Sequence, residues 1–212
     1  LMGEFFYDEP VQKHTNLLDF PIENKPGTLY RMEVDVPGFE SVWAEQTMPE
    51  KVEILSAEYT PRGTIDFEGE ENDELVFEFK DPSNSENFYK FRVFFSIKFK
   101  VPGDTTIHEF FDMLYIDSLD PLLEYGADEN RILNDRTFNG DTYKARVFFW
   151  PLENWLDEEL EIVYSGLLIE FGNMTNDKYL YLKTLEAYRE NKDNPFSEPV
   201  TVHHNFEKGT GI

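Results

Sequence analysis

The 212-residue chain carries 43 acidic and 19 basic residues, a formal net charge of −24. That balance argues against nucleic acid as a partner, because phosphate contact needs clustered Lys and Arg, and it weakens direct docking on anionic lipid headgroups. Cysteine is absent, which excludes disulfides, thiolate nucleophiles and Cys-based zinc sites.

The length suits one large domain or two small ones and buries a core without covalent staples. The 20 Phe and 11 Tyr favour a sheet-rich fold, since aromatic side chains suit a half-buried pleated surface. The acidic excess keeps such a chain soluble and leaves cations and neutral, hydroxyl-rich ligands compatible with it.

The first residues, "LMGEFFYDEP", lack a basic stretch followed by an apolar run, and strand-like residues begin at once. The chain is therefore expected to be a fragment whose export signal lies upstream. No apolar run approaches membrane-spanning length.

"TLYRMEVDV" and "FESVWAEQT" are β-rich runs separated by Pro37-Gly38, a turn pair. Tyr30, Met32, Val34 and Val36 alternate with Arg31, Glu33 and Asp35, the period of two of a half-buried antiparallel strand. A boundary is placed near Met48–Val52, where a new strand series begins.

The next strand runs from Val52 to Tyr59, with Pro49 and Pro61 expected to mark its limits, because proline donates nothing to a ladder. "DFEGEENDE" is read as a solvated acidic loop. Its carboxylates Asp66, Glu68, Glu70 and Asp73 are weak calcium candidates, since the EF-hand spacing and flanking helices are missing. Leu75, Phe77 and Phe79 then alternate. In "FYKFRVFFSIKFK", Tyr89, Phe91, Val93, Phe95, Ile97 and Phe99 share one face opposite Lys90, Arg92, Ser96, Lys98 and Lys100. This pattern predicts a long strand. The two runs are expected to form a hairpin with its loop at Asp81–Asn87.

"IHEFFDMLYIDSLDPLLEYG" reads as a strand, then a short helical turn and loop. Two more strands lie in "YKARVFFW" and "LEIVYSGLLIEFG". The second contains a parity break: Leu160, Ile162 and Tyr164 are even, Leu167, Ile169 and Phe171 odd. An extra residue must intervene, and Ser165-Gly166 is the expected β-bulge. A helix is predicted over 175–192, with Thr175 as cap, Asp177 at the positive end of the dipole and an apolar stripe of Tyr181, Leu182, Leu185 and Tyr188. Pro195 forbids continuation. "VTVHHNF" is expected to supply a closing strand, 199–206.

His203 and His204 are adjacent in that segment. Neighbouring strand residues point to opposite faces, so one ion does not readily take both, and no metal site is assigned. Paired carboxylates carry no signal for glycoside hydrolysis among 43 acids, because some pair meets the required spacing by chance. Neither a nucleophile elbow, a P-loop nor a dinucleotide fingerprint occurs. Hence no catalytic residue and no cofactor are assigned. Trp43, Trp150 and Trp155 are the candidate ligand-binding residues, suited to stacking on sugar rings if exposed.

The closing stretch, with a helical Tyr-Leu pair, Asn194 to Pro199, then Asn205, Glu207, Gly209, Gly211 and Ile212, resembles the C-terminal signature of a bacteroidete lipoprotein family carried as domain of unknown function 4249. "GTLYRMEVDVPGFESVWAEQTMPEKVEI", "DPSNSENFYKFRV" and "LNDRTFNGDTYKARVFF" are similar to that family in order and spacing. The pair His203-His204 departs from its pattern.

The resemblance implies an exported, non-enzymatic protein, lipid-anchored at the outer-membrane surface through an upstream cysteine and encoded beside a TonB-dependent receptor. That receptor is the implied partner in capturing a small-molecule, glycan or peptide ligand. The competing reading is a stand-alone carbohydrate- or calcium-dependent binding module; a hydrolase is third. The expected architecture is mainly β: an antiparallel β-sandwich with one C-terminal helix. Residues 1–48 are read as the remnant of an immunoglobulin-like domain and 49–212 as a second β domain.

Overall fold

A computed structural model describes residues 5–8, 13–16, 25–83, 85–155 and 160–207. The chain is mainly β, with antiparallel sheets that do not close into a barrel and one helix near the C-terminus. Strands β1 (Phe5–Asp8) and β2 (Lys13–Asn16) pair with each other, as do β3 (Leu29–Val34) and β4 (Val42–Thr47). The turn between β3 and β4 holds Gly38 at φ +86°, a conformation that glycine adopts without a Cβ penalty.

The sandwich proper comprises two sheets. The first has the order β11-β6-β5, from β5 (Ile54–Ile65), β6 (Glu71–Lys80) and β11 (Thr142–Phe149). The second has the order β12-β7-β10-β9, from β7 (Phe88–Lys100), β9 (Glu124–Gly126), β10 (Asn130–Asn134) and β12 (Glu161–Met174); β8 (His108–Leu114) extends it beside β7. Alternate residues of both sheets meet inside. Phe77 and Phe79 of β6, Ala145 and Val147 of β11, and Tyr89, Phe91 and Val93 of β7 are all buried. Phe77 meets Phe91 edge-on, with ring centroids 5.0 Å apart, an arrangement that the ring quadrupoles favour.

The expected hairpin between β6 and β7 is not formed. The alternation is correct, but β6 lies in one sheet and β7 in the other. β6 buries its odd-numbered face from Asp73 to Phe79 and β7 from Tyr89 to Ile97, so they pack face to face across the core, and residues 81–83 and 85–87 lie between the two layers. Buried polar groups hold that bridge. Asp81 accepts from the Tyr89 hydroxyl and, at 2.7 Å, from Gly140 N. Asp135 accepts from Asn87 N at 2.8 Å. Buried polar groups need such partners, because desolvation without a hydrogen bond is costly. These residues belong to the "DPSNSENFYKF" and "LNDRTFNGDTY" segments, which the fold therefore joins.

Two strand limits also differ from expectation. β5 runs through Pro61 to Ile65, with a register shift between Thr60 and Thr64. Among the described residues it pairs only with β6, so at an edge and in a bulge the missing N–H of Pro61 costs no ladder bond. In β12 the register shift falls between Ile162 and Tyr164, earlier than Ser165-Gly166. Ile162 and Tyr164 are exposed; the inward set begins only beyond the bulge, with Leu167, Ile169 and Phe171 packing against the core. After β8, "DSLDPLLEYG" holds turns that lead into β9 and no helix; Asp117 bridges Phe148.

Helix α1 (Asn176–Asn191) is capped by Thr175, whose hydroxyl accepts from Lys178 N. It covers one end of the outer face of the second sheet, where Tyr179 and Leu182 pack with Phe88, Ile132 and Met174. The buried stripe is thus rotated from the predicted one: Tyr179 joins it and Tyr188 stays exposed.

No strand forms over 199–206; only Glu207 bridges Trp43. The segment crosses α1, and its groups are taken by side chains instead of a ladder: His203 N donates to Thr184 Oγ1 at 2.8 Å and Asn205 Nδ2 to Glu45 O at 3.2 Å. His203 Nε2 lies 3.0 Å from Asp177 Oδ1, while Gln46 Nε2 donates to the other oxygen at 2.7 Å. One carboxylate thereby ties the β3–β4 hairpin, the helix start and the tail together.

Candidate functional site

A cleft of about 350 Å³ opens where the edge strands of the two sheets, β5 and β12, face each other. Its walls are largely apolar: Tyr59 and Pro61 from β5, Phe95 from β7, Leu152 from the turn after β11, and Leu167 from β12. Ser165 and Gly166 complete its lining, and the Tyr164 ring occupies the space beside Gly166. A concave apolar surface with a few fixed polar groups is the usual form of a ligand recess.

Asp73 lies at the floor and is 2% exposed. Its carboxylate accepts three hydrogen bonds: from Tyr59 Oη at 2.6 Å, from Arg62 N at 2.9 Å and from Leu152 N at 2.9 Å. These donors come from the β5 bulge and from the 3-10 turn Leu152–Trp155. A buried carboxylate so bonded is satisfied without a cation.

Arg62, at φ +48°, sits in a left-handed conformation that side chains rarely adopt. Its guanidinium pairs with Glu71 at 2.8 Å and with Glu153 across the mouth of the cleft. Burial first, and then the bond to Asp73, push the Tyr59 phenol far above its ordinary range; the phenol stays protonated and remains a donor.

Asp73, weighed in sequence as a calcium candidate, therefore organises backbone. Asp66 does the same at the hairpin turn: Oδ1 accepts from Glu68 N and Glu70 N, both at 2.9 Å, and Oδ2 accepts from Asn72 Nδ2 at 2.9 Å. Those hydrogen bonds hold the Asp66 carboxyl below its ordinary value, the bond from Glu70 N foremost. Glu68 and Glu70 are exposed. Among the described residues, no three or more His, Asp or Glu side chains gather in a way that would hold a metal ion.

The three tryptophans do not form one platform. Trp43 lies half-buried on β4, with the Arg31 guanidinium 4.3 Å from its ring centroid. Trp150 directly follows β11 and is 54% exposed. The Trp155 side chain lies outside the described residues. Sequence reasoning missed Tyr59, Leu152 and Leu167 as cleft residues. The available signal was Pro61-Arg62-Gly63 inside a strand-like run, which marks a bulge; nothing local told that β12 would lie opposite.

No helix among the described residues is long and apolar enough to cross a membrane. No curated protein and no solved structure matches the chain. One family model does match, and it spans residues 3–212. The chain belongs to the family described as domain of unknown function 4249.

Proposed function

We propose that this chain is a non-enzymatic cell-surface lipoprotein that serves as accessory ligand-capture partner of a TonB-dependent outer-membrane transporter, with the β5–β12 cleft as its ligand recess. The observation that carries the reading is the cleft: apolar walls above a buried carboxylate whose hydrogen bonds all go to structural donors. Such a floor favours holding a ligand over moving its protons. Membership of the family is consistent with export and lipid anchoring, which the resemblance of the C-terminal motif implies. The test is native pull-down from outer membranes, with identification of the partner and any bound small molecule. A stable complex with a large outer-membrane barrel supports the reading; recovery of the protein without a barrel refutes it.

A second reading, a stand-alone carbohydrate-binding module, is favoured by the exposure of Trp150, because a free indole face stacks on sugar rings. Glycan binding by the isolated protein that is lost in Trp150→Ala, with no barrel recovered, would select it.

A further inference from the structure

The second sheet ends on β12, which pairs with β7 along one edge; no strand among the described residues pairs along the other. The consequence shows in the core. Val93 and Phe95 of β7 are buried, whereas their register partners Ile169 and Leu167 on β12, and Phe171 beside them, remain half-buried. The inner face is a strand short of full burial at this side.

Folded proteins guard free strand edges with proline, bulges, charge or covering segments, because unpaired N–H and C=O groups template further pairing. Three edges here carry such devices. β5 has Pro61 and a bulge between Thr60 and Thr64. β11 has exposed Lys144 and Arg146 and is bridged at Phe148 by Asp117. β8 is seven residues long and bears Glu109 and Asp112. From Tyr164 to Gly172, β12 has no proline, its bulge lies just before, and Glu170 is the single charge. Leu168 is 53% exposed on its outer side. A regular, weakly charged stretch of edge therefore runs directly along the open cleft.

Strand addition combines main-chain bonding along an edge with a pocket that takes alternate side chains. The cleft supplies that pocket between Tyr59, Phe95, Leu152 and Leu167.

Charge selects the occupant. The cations near the edge are already engaged: Arg92 and Lys90 with Glu170, Lys100 with Glu161, and Arg62 with Glu153. β12 itself has no basic residue, and the chain carries a net charge of −24. A second copy would bring the same negative field; a basic segment is attracted by it.

We infer that the β12 edge from Tyr164 to Gly172 receives an extended, basic segment of a different protein as an added strand, with an apolar side chain of that segment seated in the cleft. This rests on reading the cleft as a capture site, and it names the captured chemistry as polypeptide; it holds for any partner that presents such a segment.

The test uses the full chain and a cellulose-bound array of decapeptides. One set alternates apolar residues with lysine, a second replaces lysine by glutamate, and a third interrupts the strand with proline. Binding to the lysine set, at least about tenfold above the other two and weakened by salt, is expected. The tightest peptide should slow amide exchange across 164–172 by about tenfold or more. Leu168→Lys places a charge on the exposed side of the edge without touching the core, and should abolish binding with an unchanged melting temperature. Phe196→Lys, at a position 95% exposed on another segment, should bind as the parent does.

Equal binding of all three sets, no binding, or full binding by Leu168→Lys would overturn the inference. So would a dimer in sedimentation that Leu168→Lys dissolves, which would make the occupant a second copy. Peptide binding without a co-purifying barrel would overturn the transporter partnership and leave this inference standing. A recovered barrel whose binding ignores Leu168→Lys would do the reverse.

Discussion

Removing the Asp73 carboxylate tests whether one buried side chain holds the cleft together. In Asp73→Ala, the donors Arg62 N, Leu152 N and Tyr59 Oη lose their acceptor. Each buried donor left without a partner costs about 1–3 kcal/mol. Tyr59 and Arg62 are exposed, so water re-bonds the Tyr59 hydroxyl and in part Arg62 N, and the buried Leu152 N carries most of the loss. The expected destabilisation is about 2 kcal/mol, a sizeable part of a domain's usual ~5–15 kcal/mol.

Urea unfolding followed by tyrosine and tryptophan fluorescence measures it as a lower midpoint with an unchanged slope. Asp73→Asn keeps one acceptor and presents an N–H to the remaining donors, so an intermediate loss is expected. A double-mutant cycle with Tyr59→Phe isolates the hydroxyl bond. A loss below about 1 kcal/mol in Asp73→Ala would refute the assignment of Asp73 as the group that anchors the β5 bulge to the turn after β11.

Gly140 has φ +78°, and an added Cβ would lie 2.6 Å from Ser83 Cβ; Gly140→Ala should cost about 2 kcal/mol or more. Gly172 has open space and no positive φ, so Gly172→Ala should be neutral or slightly stabilising; chemical denaturation of the pair checks both. The Asp104 carboxyl is depressed from 3.8 to about 2, chiefly by the hydrogen bond from Thr106 N, then by the Thr106 and His108 side chains. A depressed carboxylate stabilises the fold above its ordinary value, and that contribution disappears as pH falls from near 3.8 through about 2. Carboxyl NMR titration should find this midpoint, and His108→Ala should raise it only part of the way. Asp66→Ala removes the acceptor for Glu68 N, Glu70 N and Asn72 Nδ2 and should lower the urea midpoint by less than Asp73→Ala does. Chelation of calcium should leave the melting temperature of the parent unchanged.

What could be read in the residues was local and periodic. The alternation from Tyr89 to Phe99 marked β7 because a pleated strand sends neighbouring side chains to opposite faces, and the structure buries that odd-numbered face from Tyr89 to Ile97, with Phe99 half-buried. Thr175 marked the start of α1 for an equally local reason, its hydroxyl bonding an orphan amide of the first turn. The parity break in β12 required an extra residue, although the register shift settled earlier than the glycine.

Pairing and burial were decided only in three dimensions. Identical alternation serves a hairpin neighbour and a strand across the core, so nothing local assigned β6 and β7 to different sheets. Pro61 reads as a strand end until its strand is known to lie at an edge, where no ladder bond is lost. Asp73 reads as one acid in an acidic run; folding buries it beneath Tyr59 and against Leu152, 79 residues away in the chain. The cleft belongs to this second class. It arises where strands distant in sequence leave two sheet edges facing each other, a relation set by packing of the whole chain and carried by no single segment.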